Sequence, residues 1–115
     1  MKNKIGISKI EIRPLSVNAC WQGHRFKTPE YKTYEEEMLL RLPKEKMIKG
    51  NVEVYIIFFF KYPTKRDVDN CIKPILDIFV KKGYIEDDRF ITHLDISKEK
   101  SEKEGFAFEI FKEIL

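Results

Sequence analysis

The sequence contains little cysteine, and neither cysteine belongs to a recognisable motif. Cys20 and Cys71 lie in different segments of the 115-residue chain and form no Cys-x-x-Cys pair. No secretory signal pattern is visible. We therefore expect reduced thiols in a cytoplasmic protein rather than a disulfide framework. The longest apolar run, Val54 to Phe60, is too short to span a bilayer, so we expect no membrane partner.

Several catalytic signatures are also absent from the sequence. The chain has no glycine-rich phosphate loop and no nucleophile elbow, and we expect no organic cofactor. Its two histidines, His24 and His93, show no metal-ligand spacing with each other or with the cysteines. Although 36% of the residues are charged, the net charge is only +3. The net charge thus indicates a mild preference for polyanions. The positions of the charges are more informative about binding than their sum.

Length and hydrophobic periodicity predict one domain, residues 1–115, of the mixed α/β (α+β) class. The predicted order is β-loop-α-β-α-β-β, with a mixed sheet of about four strands and two helices. These elements fall at about residues 5–12, 15–28, 28–42, 51–61, 69–82, 90–98 and 105–114. The strand at 51–61 is apolar on both faces, which predicts a central strand covered on both sides.

Local signals predict where the two helices begin and end. Thr28 followed by Pro29 is a favourable helix start, and Pro43 ends this first helix. In the second helix, apolar residues from Val68 to Phe79 recur at helical spacing and form one stripe. Gly83 is a natural residue to follow its last turn.

Two aspartates lie between the central strand and the second helix. Asp67 and Asp69 are one residue apart, so in an extended segment their side chains point the same way. Such a pair suits Mg²⁺, which takes one or two carboxylates together with waters and phosphate oxygens. Metal-assisted phosphodiester hydrolysis uses a site of this kind. The competing interpretation is structural, because Asp69 or Asn70 would also cap the helix.

Lys73 and Asp88 are further candidates, each with a structural alternative. Lys73 shares a helix face with Asp69 and Asp77. Beside a metal–carboxylate site it would bind the scissile phosphate, and otherwise it forms an i, i+4 salt bridge. Asp88 follows Asp87 in a predicted turn, where aspartates are common without any catalytic role.

Basic residues occur in two places that suit a phosphate backbone. Lys65 and Arg66 immediately precede the acidic pair, although a solvated basic pair is the simpler interpretation. The loop that contains Trp21, Arg25 and Lys27 combines aromatic and basic side chains, which would stack on bases and bind phosphates.

The elements from Lys65 to Asp88 form an ordered set. A basic run precedes an Asp-x-Asp-Asn element that opens a helix; a lysine, a Gly-aromatic helix end and an Asp-Asp turn follow. In this sequence they are Lys65-Arg66, Asp67-Val68-Asp69-Asn70, Lys73, Gly83-Tyr84 and Asp87-Asp88. This arrangement resembles the RusA family of Holliday junction resolvases. The N-terminal half matches more loosely, through residues 14–18, the basic stretch around Arg25 and the helix through Tyr34.

The resemblance implies a homodimer that binds four-way DNA junctions in recombination and repair, in a bacterial or phage-infected cell. It implies that Asp67, Asp69 and Asp88 are metal-binding catalytic acids for Mg²⁺ or Mn²⁺, and that Lys73 is catalytic or phosphate-binding. A two-fold dimer has two equivalent sites, which would explain paired symmetric nicks. The residues expected to contact DNA are Lys65, Arg66, Asn70, Asn18, Arg25 and Lys27.

The predicted position of Asp88 raises a geometric question. A second helix of about 14 residues carries the chain about 21 Å away from Asp67. The five linking residues, 83–87, can cover at most roughly 17 Å on the way back. Either the helix is tilted across the strand ends or a partner subunit supplies Asp88. We therefore hypothesise that the active site lies close to the dimer interface, where both subunits could contribute to it.

Three other functions compete with that of a junction-specific nuclease. A phosphatase of the haloacid dehalogenase type is excluded, because it needs a longer chain and an Asp-x-Asp pair directly at a strand end. A non-catalytic nucleic-acid-binding module leaves the three aspartates unexplained, since carboxylates oppose phosphate unless a cation intervenes. A metal-dependent nuclease without junction specificity remains an alternative.

Overall fold

The computed structural model describes residues 4–16, 21–22 and 26–113. Its strands are β1 (Lys4–Ile10), β2 (Trp21–Gln22), β3 (Phe26–Lys27), β4 (Val52–Phe60), β5 (Ile91–Lys100) and β6 (Gly105–Lys112). The helices in this part of the chain are α1 (Pro29–Arg41) and α2 (Asp69–Lys82), and 3-10 turns occupy Pro63–Lys65 and Asp88–Phe90. The predicted mixed α/β class and the order of the main elements are confirmed.

The main sheet has four strands in the order β1-β6-β4-β5. Strand β4 pairs in parallel with β5 and antiparallel with β6, and β1 pairs antiparallel with β6. Because parallel strands need a crossover connection, the chain from β4 to β5 crosses the sheet through α2. The short strands β2 and β3 form a separate ribbon.

Helix α1 begins and ends as its local signals predict. The Thr28 hydroxyl accepts a hydrogen bond of 3.1 Å from the backbone N–H of Tyr31, and Pro29 occupies the first turn. The backbone turns extended at Leu42, directly before Pro43. The helix buries Tyr31, Tyr34 and Met38 against the sheet, and it also buries the carboxylate residue Glu35.

Helix α2 lies next to α1 and carries the acidic motif at its start. Gly83 follows its last turn with φ 86°, and the Gly83 N–H donates to the carbonyls of Phe79 and Val80. Only glycine adopts this left-handed conformation without strain. The ring of Phe79 packs 4.6 Å from that of Phe108 on β6, so α2 covers the sheet. Among the described residues, neither helix is long and apolar enough to cross a membrane.

The central strand β4 is covered on one side rather than two, so that part of the prediction was wrong. Its residues alternate between buried and half-buried along the whole strand. The buried set faces the helices, and the half-buried set, Glu53, Tyr55, Ile57 and Phe59, faces the other way. We call this second surface the open face. A shallow hollow of about 660 Å³ on it is lined, among the described residues, by strand residues of β1, β4 and β6.

Candidate active site

The chain leaves β4 through a loop that its neighbours hold in place. The Lys61 N–H donates to Glu104 Oε2 at 3.0 Å. From β5, the Lys98 ammonium donates to the carbonyls of Pro63 at 2.9 Å and Arg66 at 3.0 Å. These contacts fix the backbone immediately before Asp67. Sequence reasoning missed Lys98, although a lysine on the helix-facing side of a strand is a recognisable anomaly in the alternation.

Arg66 turns into the protein, although it was predicted to contact DNA. Its Nη2 donates to the Pro14 carbonyl at 2.9 Å, and its Nη1 lies 3.6 Å from a carboxylate oxygen of Glu104. The guanidinium also stacks over the Phe60 ring, 4.5 Å from the centroid. With only 20% of its side chain exposed, Arg66 joins the N-terminal segment, the site loop and the start of β6.

Asp67, rather than Asp69 or Asn70, makes the capping contacts at the start of α2. Its Oδ1 accepts a 3.0 Å hydrogen bond from the backbone N–H of Asp69, and its Oδ2 lies 3.5 Å from the Asn70 side-chain amide nitrogen. The formal cap residue, Val68, makes no side-chain cap hydrogen bond. The Asp69 carboxylate makes no hydrogen bond or ion pair within the described residues, so it stays free on the exposed first turn.

Asp88 reaches the same face of α2 within one chain. The Lys73 ammonium lies 2.7 Å from Asp88 Oδ2 and 3.0 Å from Asp77 Oδ1. The 3-10 turn that begins at Asp88 is capped by Asp87, whose carboxylate accepts from the Arg89 N–H at 3.1 Å. Lys73 therefore links Asp88 to this face of α2 within a single chain.

Electrostatics at this cluster follow from the ion pairs. The hydrogen bond to Asp88, and then that to Asp77, raises the pKa of Lys73 above its usual range. The hydrogen bond from Lys73 is also the main cause that lowers the pKa of Asp88. Both groups are therefore charged at neutral pH, and Lys73 neutralises part of a surface that would otherwise hold only carboxylates.

The four residues form a continuous row. Asp67 contacts Asp69 through its backbone, Asp69 and Lys73 are one helical turn apart, and Lys73 binds Asp88. Their carboxylate oxygens are hard donors of the type that Mg²⁺ and Mn²⁺ take. In the part of the chain that is described, however, no three acidic, histidine or cysteine side chains already converge on one point that could hold a metal ion.

Among the remaining residues predicted to contact DNA, some side chains are exposed and others are already paired within the protein. Lys65 is exposed, and its ammonium lies 5.5 Å from the ring centroid of Tyr62. Lys27 instead forms an ion pair of 3.1 Å with Glu35 and lies over the Tyr31 ring. Asn70 contacts Asp67, as described above. The other two predicted contacts, Asn18 and Arg25, lie outside the described residues.

Comparison with known proteins identifies the family of the chain. A profile of the family described as Endodeoxyribonuclease RusA matches residues 13–110, which includes every element of the row from Asp67 to Asp88. No curated protein matches the chain. Because the match covers most of the sequence, it concerns the whole fold and not a short motif. The chain belongs to the RusA family of endodeoxyribonucleases, a family of Holliday junction-resolving nucleases.

Proposed function

We propose that this protein is a divalent-metal-dependent endonuclease that, as a homodimer, makes paired symmetric nicks in four-way DNA junctions. It would act in DNA recombination and repair. The observation that carries the proposal is the row of Asp67, Asp69, Lys73 and Asp88 on one accessible surface of a chain whose family resolves junctions. An exposed acidic row would repel DNA, so a nuclease with this surface needs cations to approach a phosphate.

We propose that Asp67, Asp69 and Asp88 hold the metal, with Mg²⁺ as the ion and Mn²⁺ as a substitute. Asp69 fits this role best because its carboxylate has no other partner within the described residues. Asp67 fixes the start of the helix and so positions its neighbour. When bound, the metal supplies Lewis-acid activation of the scissile phosphate and of the attacking water.

Lys73 would then serve two functions. Without DNA, its ammonium neutralises Asp88 at 2.7 Å and Asp77 at 3.0 Å. Its side chain remains more than half exposed, so it is accessible to a phosphate oxygen approaching the same surface. We propose that it binds the scissile phosphate and stabilises negative charge that develops there.

The test is incubation of the protein with a synthetic four-way junction and with a linear duplex of the same sequence. We expect junction cleavage in Mg²⁺ or Mn²⁺ and none in EDTA. Asp69→Asn should abolish cleavage, whereas Glu36→Gln, the same change at an exposed acid of α1, should not. An intact junction in both metals refutes the nuclease proposal. Equal cleavage of junction and duplex would leave a nuclease but remove the junction specificity.

The homodimer in this proposal is supported by the open face. Its centre is apolar, and the Tyr55 ring lies 5.4 Å from that of His93 and 5.7 Å from that of Phe111. The charges are partly segregated: Lys4, which pairs with Glu109 of β6 at 2.6 Å, and Lys9 lie on β1 at one edge, and further acidic residues lie on β4 and β5 towards the other. These acidic residues are Glu53, Asp95 and Glu99.

Such a face is complementary to a second copy of itself. If two sheets pack face to face about a two-fold axis parallel to the strands, the basic β1 edge of one copy lies opposite the acidic β5 edge of the other. The same acidic residues make this face unsuitable for DNA. We therefore propose that the open face is buried in the dimer and that the helical side carries the substrate.

Sedimentation velocity tests the dimer separately from cleavage. We expect the wild type to sediment with the mass of two chains. Ile57→Asp, which puts a charge in the centre of the open face, should produce monomers. Leu40→Asp is the matched control, because Leu40 is 82% exposed on α1. A dimer that survives Ile57→Asp would exclude this surface, and a wild-type monomer would exclude the homodimer.

A further inference from the structure

Tyr62 is an exposed aromatic residue on the loop that leads to the acidic row. Its exposed fraction is 60%, whereas Tyr31, Tyr34 and Tyr84 are buried and Tyr55 is half-buried. Burial of an aromatic side chain stabilises a fold by about 1.5–3 kcal/mol, and Tyr62 contributes little of this. The fold therefore does not account for an aromatic residue at this position.

The loop holds the backbone around Tyr62 in a defined conformation. The Tyr62 carbonyl accepts from the Lys65 N–H at 3.0 Å, and Pro63 follows directly and restricts the backbone. Lys98 then fixes the Pro63 and Arg66 carbonyls at 2.9 and 3.0 Å. An exposed ring on a backbone with these contacts loses little further freedom on binding, which favours affinity.

The surroundings of the ring are basic. Lys61 precedes it and is exposed, and the Lys65 ammonium lies 5.5 Å from the ring centroid. The nearby carboxylate Glu104 is paired with Arg13 at 3.1 Å and with Arg66 at 3.6 Å. Interleaved aromatic and basic side chains bind nucleic acid by stacking on bases and contacting phosphates.

We propose that Tyr62 is a stacking site for an unpaired nucleobase of the DNA substrate, and that Lys65 binds a phosphate next to that base. This inference rests on the proposed function. Tyr62 is five residues before Asp67, so their backbones are at most roughly 17 Å apart. Since a DNA strand advances about 3.4 Å per nucleotide, the stacked base would lie within about five nucleotides of the cleaved phosphate.

The geometry of a four-way junction explains why the base would be unpaired. In continuous duplex DNA both faces of each base are covered by its neighbours, so a tyrosine ring gains a partner only after the base is unstacked, which costs energy. At the branch point the stack is interrupted. A ring that captures a base there would favour junctions over duplexes without reading sequence, because every base offers the same kind of π surface.

The experiment measures binding on an Asp69→Asn background in Mg²⁺, with 2-aminopurine placed at the branch point. We expect a change in 2-aminopurine fluorescence on binding that Tyr62→Phe retains and Tyr62→Ala abolishes. Tyr62→Ala should weaken junction binding roughly 5- to 150-fold, the effect of losing one stacked base. Linear-duplex binding should change less than twofold. Lys65→Ala should keep the fluorescence change and lower the slope of log affinity against log salt by about 1.

Three results would overturn the proposal. The first is an unchanged junction affinity in Tyr62→Ala. The second is a loss of junction affinity in Tyr62→Phe equal to that in Tyr62→Ala, which would assign the effect to the hydroxyl. The third is a loss of linear-duplex affinity in Tyr62→Ala equal to its loss of junction affinity. Cleavage by the otherwise wild-type chain is measured in parallel. If the wild type fails to cut while the fluorescence change depends on the ring, the nuclease proposal fails and the stacking site stands.

Discussion

Replacing Glu35 by glutamine should lower the free energy of unfolding by about 2 kcal/mol at pH 7. Glu35 lies on α1 and is only 9% exposed, the one buried charged residue in the described part of the chain. Its carboxylate accepts from Lys81 at 2.6 Å and from Lys27 at 3.1 and 3.3 Å. It therefore joins α1 to the last turn of α2 and to the end of β3.

The magnitude follows from the exposure of the partners. A hydrogen bond to a charged group contributes about 1.5–3 kcal/mol when buried. The Lys27 and Lys81 side chains are 32% and 51% exposed, so solvent screens both ion pairs. Each pair should therefore contribute about 1 kcal/mol to the free energy of unfolding. For a domain of this size, a loss of about 2 kcal/mol lowers the melting temperature by roughly 8 °C.

The pH dependence gives the sign of the effect. Burial alone would raise the pKa of Glu35, but the hydrogen bonds from Lys81 and Lys27 outweigh it and lower the pKa below the usual 4.5. A carboxylate with a lowered folded-state pKa stabilises the fold above its unfolded-state pKa, and this contribution disappears as pH falls through the folded value. The difference between wild type and Glu35→Gln should therefore shrink below about pH 4.5.

Urea unfolding followed by circular dichroism measures this difference between pH 7 and pH 3. Glu36→Gln is the control, because the neighbouring Glu36 is exposed and should change stability by less than about 0.5 kcal/mol. The reasoning would be refuted if Glu35→Gln were as stable as the wild type at pH 7, or if the difference grew towards acid pH.

Three further predictions concern the contacts around the site. Arg66→Ala should lower the free energy of unfolding by about 3 kcal/mol, because it removes a charge-assisted hydrogen bond and a stacked guanidinium; an unaffected urea midpoint would contradict its inward position. Lys98→Met should slow junction cleavage about tenfold or more while changing stability by less than about 1 kcal/mol, because the backbone before Asp67 is released; an unchanged single-turnover rate would exclude this positioning role. Gly105→Ala should cost about 3 kcal/mol, because an added Cβ would lie 2.2 Å from the Ile10 carbonyl oxygen; a melting temperature equal to the wild type would contradict that packing.

The features predictable from sequence are those decided by neighbouring residues. The start of α1 depends on Thr28 and Pro29, which act within one turn. The end of α2 depends on Gly83, whose left-handed conformation has a local cause. The spacing of Asp69 and Lys73 also predicts a shared surface, because residues four apart lie on one face of a helix.

The features that sequence did not predict depend on distant partners. The inward position of Arg66 requires Pro14 and Glu104, which lie far from it in the chain. The residues of β4 do not reveal what covers each side of the strand. An apolar face that is covered by a helix has the same composition as an apolar face that is left uncovered in the single chain. For this reason the pattern predicted two covered faces where the single chain has one.

The position of Asp88 is the clearest example of this limit. The lengths of the helix and the loop set limits on the distance between Asp88 and Asp67. They did not include the length of a lysine side chain that contacts Asp88. In the structure the Lys73 ammonium lies 2.7 Å from Asp88, with both residues in one chain. The contact brings Asp88 to α2 in one chain, and the composite-site hypothesis stays a prediction that a mixture of variants tests.

The most direct test of the active-site proposal is junction cleavage by Asp67→Asn, by Asp88→Asn and by an equimolar mixture of the two in Mg²⁺. An active site built within one chain predicts that each variant is at least about a thousandfold slower than the wild type. It also predicts that the mixture is no faster. If Asp88 served the partner's site, mixed dimers would contain one intact site and recover up to roughly a quarter of wild-type activity. Such recovery, or wild-type cleavage by either single variant, would contradict the proposed active site.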